Sequence, residues 1–353
     1  MSETLEKILT IVITTFVLVG AITPIMKKIA KHINAIDIPN ERKVHKIPIP
    51  RLGGLGIYIG FLFGYMLYGE PSSLMNSVLI GSFIIVITGI IDDIKPLKAK
   101  YKFIGQLIAA CIVVFYGKVL LANISAFGFY IEFNIFSYPL TLFFILGCIN
   151  CINLIDGLDG LAGGISAIYF LTIGIIATYM GSRGLDFTLS FIMLGACLGF
   201  LIHNFYPAKI FMGDSGSMFL GFIISVIALL GFKNVTMSSL IIPLLVLAIP
   251  ILDTLFAIIR RVLKGESIST PDKFHIHHQL LNRNFSQRTT VIIIYLIDLL
   301  FAVASIVYVL KDNKLGYIIY GILLLIVLSF VINTNVVYDH KSNILDKLKH
   351  KKK

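Results

Sequence analysis

Apolar residues run in long blocks along this chain, broken by short stretches where charge, glycine and proline collect. A helix needs about 17 or more such residues to cross the hydrocarbon core of a bilayer. Eleven blocks meet that length to within a few residues: 8–26, 52–69, 74–91, 103–118, 137–154, 158–180, 187–204, 216–232, 238–263, 289–310 and 315–333. One connection has another period. Between Ile124 and Phe136, apolar Phe129, Ile131, Phe133 and Ile135 alternate with Tyr130, Glu132 and Asn134, with Gly128 near a turn. A period of two predicts a small β-hairpin. The pattern thus predicts an all-α polytopic membrane protein with about 11 transmembrane helices and a small extracytoplasmic β-hairpin. No repeat, low-complexity tract or linker marks a second domain, so residues 1–353 are expected to form one integral-membrane unit. The first block follows an acidic start and lacks a small-residue cleavage site, which predicts a retained helix.

Composition agrees, with 57% hydrophobic and 14% charged residues, a balance foreign to soluble globular domains. Cys111, Cys148, Cys151 and Cys197 all lie inside apolar runs; Cys148 and Cys151 form a C-x-x-C with no second pair to complete a zinc site. They are expected to be reduced packing residues. The formal charge of +11 could suggest a nucleic-acid partner, but its distribution excludes the need for one. Of 30 basic residues, 24 fall in alternate connections and the tail. The positive-inside rule then puts those connections in the cytosol, with the N-terminus outside and the C-terminus inside. The basic tail, 334–353, is expected to lie against anionic lipid.

The polar chemistry gathers in five cytosolic loops, 27–51, 92–102, 153–158, 205–215 and 261–288. Asp92 and Asp93 repel each other unless a cation or proton is shared, which suits Mg²⁺ binding or general-base work. The plainer alternative is a helix-end pair neutralised by Lys95, Lys98, Lys100 and Lys102. Asn153, Asp156 and Asp159 stand at i, i+3 and i+6, a spacing that predicts one helical face, and glycines follow them. Amide and carboxylate oxygens suit a hard cation, while an acid-rich start to the next helix would explain the same residues. In Phe211-Met212-Gly213-Asp214-Ser215-Gly216-Ser217, Asp214 can ligate a metal or cap a helix, and Phe211 can stack a base or pack at the interface. His275, His277 and His278 suit hydrogen bonding to pyrophosphate better than zinc. Arg42-Lys43-Val44-His45-Lys46 and Arg51-Leu52-Gly53-Gly54 are read equally well as an anion site or as topological charge. Asp253 lies inside the ninth block and is either functional or paired with Arg260.

Together these motifs resemble the polyprenyl-phosphate N-acetylhexosamine-1-phosphate transferases, the integral-membrane superfamily that includes the MraY translocase. The resemblance runs from about Arg42 to Asn284. RKVHKIPIPRLGG, GDSGS and PDKFHIHHQLL look closest to the WecA/TagO branch, which uses UDP-GlcNAc to start enterobacterial common antigen, O-antigen or wall teichoic acid. The MraY branch usually carries three consecutive histidines; Ile276 interrupts them here, which argues against UDP-MurNAc-pentapeptide. The resemblance implies Mg²⁺-dependent transfer of GlcNAc-1-phosphate onto undecaprenyl phosphate, with Mn²⁺ as a substitute and UMP as the leaving product. It places the reaction at the cytosolic leaflet of the bacterial cytoplasmic membrane. Asn153 and Asp214 would hold the metal, with Asp156 in the same catalytic cluster. Asp92 and Asp93 would sit by the lipid phosphate, one as candidate base. Lys102, His277 and His278 would contact phosphate, Phe211 would stack on uracil and Asp159 would hydrogen-bond it. Lys43, His45 and His275 complete the expected substrate-binding set. The partners expected are UDP-GlcNAc, undecaprenyl phosphate, membrane lipid and a second copy of the chain in a homodimer, with no nucleic acid. The rival reading, an ion-coupled transporter, would place its charges near the bilayer midplane rather than at one edge.

Overall fold

Long apolar runs close their backbone hydrogen bonds within themselves, and helices follow wherever glycine and proline do not intervene. The computed structural model describes residues 2–39, 45–126, 129–231, 241–267, 274–310, 313–332 and 334. In chain order the helices are α1 (Ser2–His32), α2 (Gly53–Tyr68), α3 (Ser73–Ile94), α4 (Ala99–Cys111), α5 (Ser137–Ile155), α6 (Leu161–Tyr179) and α7 (Leu185–Asn204). There follow α8 (Gly213–Gly231), α9 (Ile241–Val246), α10 (Ala248–Leu263), α11 (Ile276–Asn282), α12 (Gln287–Leu310) and α13 (Asn313–Ile332). A π-helical turn, Ile112–Tyr116, extends α4. Counting that turn, all but α2, α9, α10 and α11 are long and apolar enough to cross a membrane, nine helices among the described residues.

The centre of the bundle is α8, which packs on α2, α3, α5, α6 and α7. In its most apolar stretch 89% of the residues are buried, against 22% in α1 and 28% in α13, so the latter two are peripheral. Their outward faces carry Ile13, Val17, Leu325 and Ile326, exposed to what would be lipid. Close approach of α2 and α3 to α8 is made by missing side chains. A Cβ at Gly54 would stand 2.1 Å from the backbone of Gly216, and one at Gly89 2.3 Å from that of Ser215.

Proline shapes two elements. Pro24 lies inside α1 and has no N–H to offer the carbonyl four residues back, that of Gly20. His203 of α7 takes up this orphan acceptor, its Nε2 donating at 2.9 Å. Pro250 likewise cannot pair with Val246, and the ninth expected span is broken there into α9 and α10, with Leu247 out of helical geometry between them. The expected block 52–69 becomes the 16-residue α2.

Two small antiparallel sheets complete the fold. β1 (Ile36–Asp37) pairs with β2 (Ile49–Pro50), a pairing the apolar pattern did not suggest. The expected hairpin is present as β3 (Asn123–Ala126) and β4 (Phe129–Glu132), with its tip, Gly128 included, outside the described residues. It ends sooner than alternation implies: Asn134–Phe136 form a 3-10 turn leading into α5. Cys148 and Cys197 are buried, Cys111 and Cys151 half-buried, and all four are free.

Candidate active site

The polar loops converge where α3 and α5 end and α8 begins. Asp93, the penultimate residue of α3, accepts from Asp214 N at 2.8 Å, Ser215 N at 3.1 Å and Ser215 Oγ at 2.7 Å. A carboxylate from one helix thus caps the first turn of another and offsets the positive end of its dipole. Gly213 makes this possible. Its φ is +74°, and any Cβ there would meet the Asp93 carboxyl.

Arg51 is the hub of the site. Its Nε and one terminal nitrogen reach Asp93 Oδ1 at 3.0 Å, and the same terminal nitrogen reaches Asp214 Oδ1 at 3.4 Å. Its other terminal nitrogen donates to Asp37 Oδ1 at 3.2 Å. The loop that carries it is zipped onto the segment before α8: Phe211 N donates to Pro50 O at 2.8 Å, and Gly53 N and Gly54 N donate to the carbonyls of Phe211 and Met212. Burial opposes the Arg51 charge, but Asp93, Asp214, Asp37 and Asp92 outweigh it and hold the guanidinium pKa above its usual value. Lys102 of α4 is the second cation, binding Asp92 Oδ2 at 2.8 Å and also Asp214 Oδ2. Asp92 Oδ1 accepts from Leu97 N at 2.7 Å, which pins the α3–α4 turn.

A cavity of about 260 Å³ opens beside this network. Asp37, His45, Arg51, Asp156, Asp159, Asn204, Phe211, Asp214, His278 and Gln287 line it. The His45 ring stands edge-on to Phe211 with centroids 5.0 Å apart, and its Nε2 lies 3.3 Å from Asp37 Oδ2. Asp159 Oδ2 accepts from Ala208 N at 2.9 Å. Asn204 holds the same wall, accepting from Gly160 N and donating to Ile210 O. Burial, then the charge of Asp214, pushes Asp156 up to about 7 against the opposing pull of Arg51, so its carboxyl keeps a proton to near neutrality.

The expected single face of Asn153, Asp156 and Asp159 does not form. α5 ends at Ile155, Asp156 has left helical geometry, and Gly160 adopts φ +79° before α6. The two acids therefore reach the cavity from a turn, while only Asn153 is helical. Asn153 Nδ2 donates to Ser217 Oγ at 2.8 Å, which leaves its Oδ1 as the acceptor of that amide, and Asn153 stands outside the cavity lining. Asp92, Asp93 and Lys102 stand behind the lining, and His277 touches Gly157. His275 is turned toward Asp253, Nδ1 to Oδ2 at 2.8 Å, so of the two readings of Asp253 the one that paired it with Arg260 is replaced by a histidine partner. Lys43 lies outside the described residues. Asp37, Asn204 and Gln287 were not among the expected site residues, and Arg51 stood only in a loop read equally well as an anion site or as topological charge.

No three His, Cys, Asp or Glu side chains form a metal cage among the described residues. Mg²⁺ does not need one, since it keeps several waters and is commonly held by one or two carboxylates together with substrate phosphates. The oxygen donors at hand, Asp214 and the Asn153 amide, fit that habit, with Arg51 and Lys102 offsetting part of the carboxylate charge.

Comparison with known proteins joins this geometry to a family. The chain is 44% identical over 335 residues to the probable undecaprenyl-phosphate N-acetylglucosaminyl 1-phosphate transferase of Bacillus subtilis (strain 168), covering 94% of this chain and 93% of that relative. It belongs to the polyprenyl-phosphate N-acetylhexosamine-1-phosphate transferase family. Residues 75–232 match the model for glycosyl transferase family 4. The decaprenyl-phosphate N-acetylglucosaminephosphotransferase of Mycolicibacterium smegmatis is 34% identical, over 77% of this chain and 74% of that relative. The undecaprenyl-phosphate alpha-N-acetylglucosaminyl 1-phosphate transferase of Escherichia coli (strain K12) is 32% identical, over 78% and 77%. The stretch matched by the family model runs from α3 to the end of α8 and so holds Asp92, Asp93, Lys102, Asn153, Asp156, Asp159, Phe211 and Asp214.

Proposed function

We propose that this protein transfers GlcNAc-1-phosphate from UDP-GlcNAc to undecaprenyl phosphate, forming undecaprenyl-diphospho-GlcNAc and UMP. The observation that carries the reading is the site's charge plan: Arg51 in the cavity wall and Lys102 behind it, both held by carboxylates at one end of an apolar bundle, in a chain close to named GlcNAc-1-phosphate transferases. In this reaction an oxygen of the lipid phosphate attacks the sugar-bearing phosphorus of UDP-GlcNAc. The bond to the bridging oxygen breaks, and UMP leaves with the electron pair. Phosphate attack on a diphosphate depends on charge neutralisation and in-line positioning more than on a strong base. Asp93 suits that view, since its lone pairs are already engaged by three N–H or O–H donors and Arg51. A lipid phosphate is ionised near neutral pH and can attack without giving up a proton, in a single displacement.

Arg51 and Lys102 then neutralise the diphosphate, His45 and Phe211 receive the base, and protonated Asp156 donates a hydrogen bond. Asn153 and Asp214 would hold Mg²⁺, which would supply charge neutralisation on the sugar-nucleotide diphosphate. The apolar helices are embedded in the bacterial cytoplasmic membrane. α2 and the broken α9–α10 pair complete eleven crossings, with the N-terminus outside and the cavity on the cytosolic face. The product starts a cell-envelope glycopolymer.

The test is product formation in membranes carrying the protein, with undecaprenyl phosphate, Mg²⁺ and labelled UDP-GlcNAc or UDP-MurNAc-pentapeptide in parallel. Lipid-linked GlcNAc and UMP, lost on chelation and in a folded Asp214→Asn variant, are expected. Product only from the MurNAc nucleotide would overturn the donor; full turnover by Asp214→Asn would remove that residue from the mechanism.

A further inference from the structure

Asp253 is a carboxylate in the middle of α10, 1% exposed and away from the cavity lining. Both its oxygens are engaged by a segment more than twenty residues later in the chain. Oδ1 accepts from Ile276 N at 2.7 Å and Oδ2 faces His275 Nδ1 at 2.8 Å. Ile276 is the first residue of α11, and His275, at the N-cap position, makes no side-chain cap of its own. The cap therefore comes from another helix. This matters because α11 has only seven residues, far too few to hold helical form without tertiary contacts.

The same short helix carries the cavity's histidines. His278 lines the cavity, and His277 Nε2 packs so closely on Gly157 that a Cβ there would lie 2.6 Å away. The His275 and His277 rings are nearly parallel, 7° between planes and 5.6 Å between centroids, and His277 and His278 are 4.3 Å apart. A continuous line of contacts runs from Asp253 through His275 to the cavity wall.

We infer that Asp253 is a positioning residue that pins α11 to α10, holds the His275 ring with its proton on Nδ1, and thereby sets His277 and His278 at the cavity. Ionised Asp253 can only accept, so the ring nitrogen facing it donates. Asp253 touches no substrate; its effect on activity rests on the transferase reading above.

Asp253→Asn separates the two tasks. The amide oxygen can keep the Ile276 N–H, but the amide nitrogen must donate toward His275, which moves the ring proton to Nε2. The variant is expected to fold with a melting temperature near that of the parent. Its kcat is expected to fall by roughly 10-fold or more, the scale for losing a partner that orients a site histidine, with a smaller change in KM for UDP-GlcNAc. In a His275→Ala background the same substitution should have no further effect, because the route is already cut. Equal losses in both backgrounds, or unchanged kcat in Asp253→Asn, would overturn the inference. If Asp253→Asn does not accumulate, Asp253→Ser, whose hydroxyl can accept from Ile276 N, takes its place with the same expectations. A second arm needs no turnover. ¹⁵N spectra of histidine-labelled protein, assigned by difference from His275→Ala, should show His275 protonated at Nδ1 in the parent and at Nε2 alone in Asp253→Asn. A parent ring protonated only at Nε2 would sink the inference. An inactive parent with the expected spectra would instead count against the donor sugar or the reaction.

Discussion

Arg51 shows how one side chain can organise a site and stay hidden in a sequence. It hydrogen-bonds three carboxylates at once, Asp93, Asp37 and Asp214, from three different parts of the chain. A planar guanidinium can do this because its donors point along fixed and separate directions; an ammonium is a single point of charge. Arg51→Lys is therefore expected to keep the charge and lose the fork. A charge-assisted contact is worth about 2 kcal/mol, and losing that from the transition state is roughly a 30-fold fall in kcat/KM. Steady-state kinetics beside a melting curve would check it; parent-like kcat/KM would mean that charge alone suffices. The sequence did display Arg51, in R-L-G-G. It could not be told apart from its basic neighbours, all of which have a topological reason to be there. Asp214 and Phe211, singled out in the sequence beside small residues at a helix start, do line the cavity. What spacing cannot supply is the partner: nothing local links Arg51 to a carboxylate more than 160 residues away.

At the scale of elements, apolar run length located the helices well, since a bilayer-spanning helix must be continuous and the runs are. The failures sit where one residue ends an element. α5 ends at Ile155 with Asp156 already out of helical geometry, short of the two acids that seemed to share its face, and Pro250 divides what reads as one long span. Helix crossings were not legible at all, although the glycines that permit them were in view. A methyl group at Gly54 would press on the backbone of Gly216, which cannot swing aside as a side chain can. Gly54→Ala should push α2 off α8 and disturb the Arg51 loop that leads into α2. Overpacking of this kind costs about 1–3 kcal/mol or more. Gly147, in α5, has nothing within 4 Å of its added Cβ, so Gly147→Ala should be neutral or stabilising by about 0.5–1 kcal/mol through helix propensity. Thermal unfolding of the two variants in one detergent checks the contrast. Equal effects would mean that the α2–α8 contact is slack.

For the whole molecule, the important asymmetry is between the two ends of the bundle. One end holds Arg51, Lys102 and the carboxylates they pair with; the hairpin of β3 and β4 is built between α4 and α5, on the connection following the far end of α4 from Lys102. Charge distribution predicts that the first end is cytosolic, and the proposed reaction requires it, because a soluble nucleotide sugar must reach the cavity from the compartment that makes it. A transporter would have needed the acids of its site near mid-helix, whereas those paired with Arg51 and Lys102, Asp92, Asp93 and Asp214, lie at helix termini, and mid-helix Asp253 is engaged by His275 and Ile276. Two exposed residues separate the sides. Glu132 is on the hairpin, and Lys98 is in the short turn between α3 and α4. With the four native cysteines replaced by alanine, Glu132→Cys should react with a membrane-impermeant maleimide on intact cells. Lys98→Cys should react only after the membrane is opened. Those two residues are separated by α4 and its π turn, so opposite accessibility also requires that this element cross the bilayer once. Labelling of both positions from outside would remove α4 as a crossing. The reverse pattern would put the cavity on the outer face, away from cytosolic sugar nucleotides, and the proposed reaction would lose its donor.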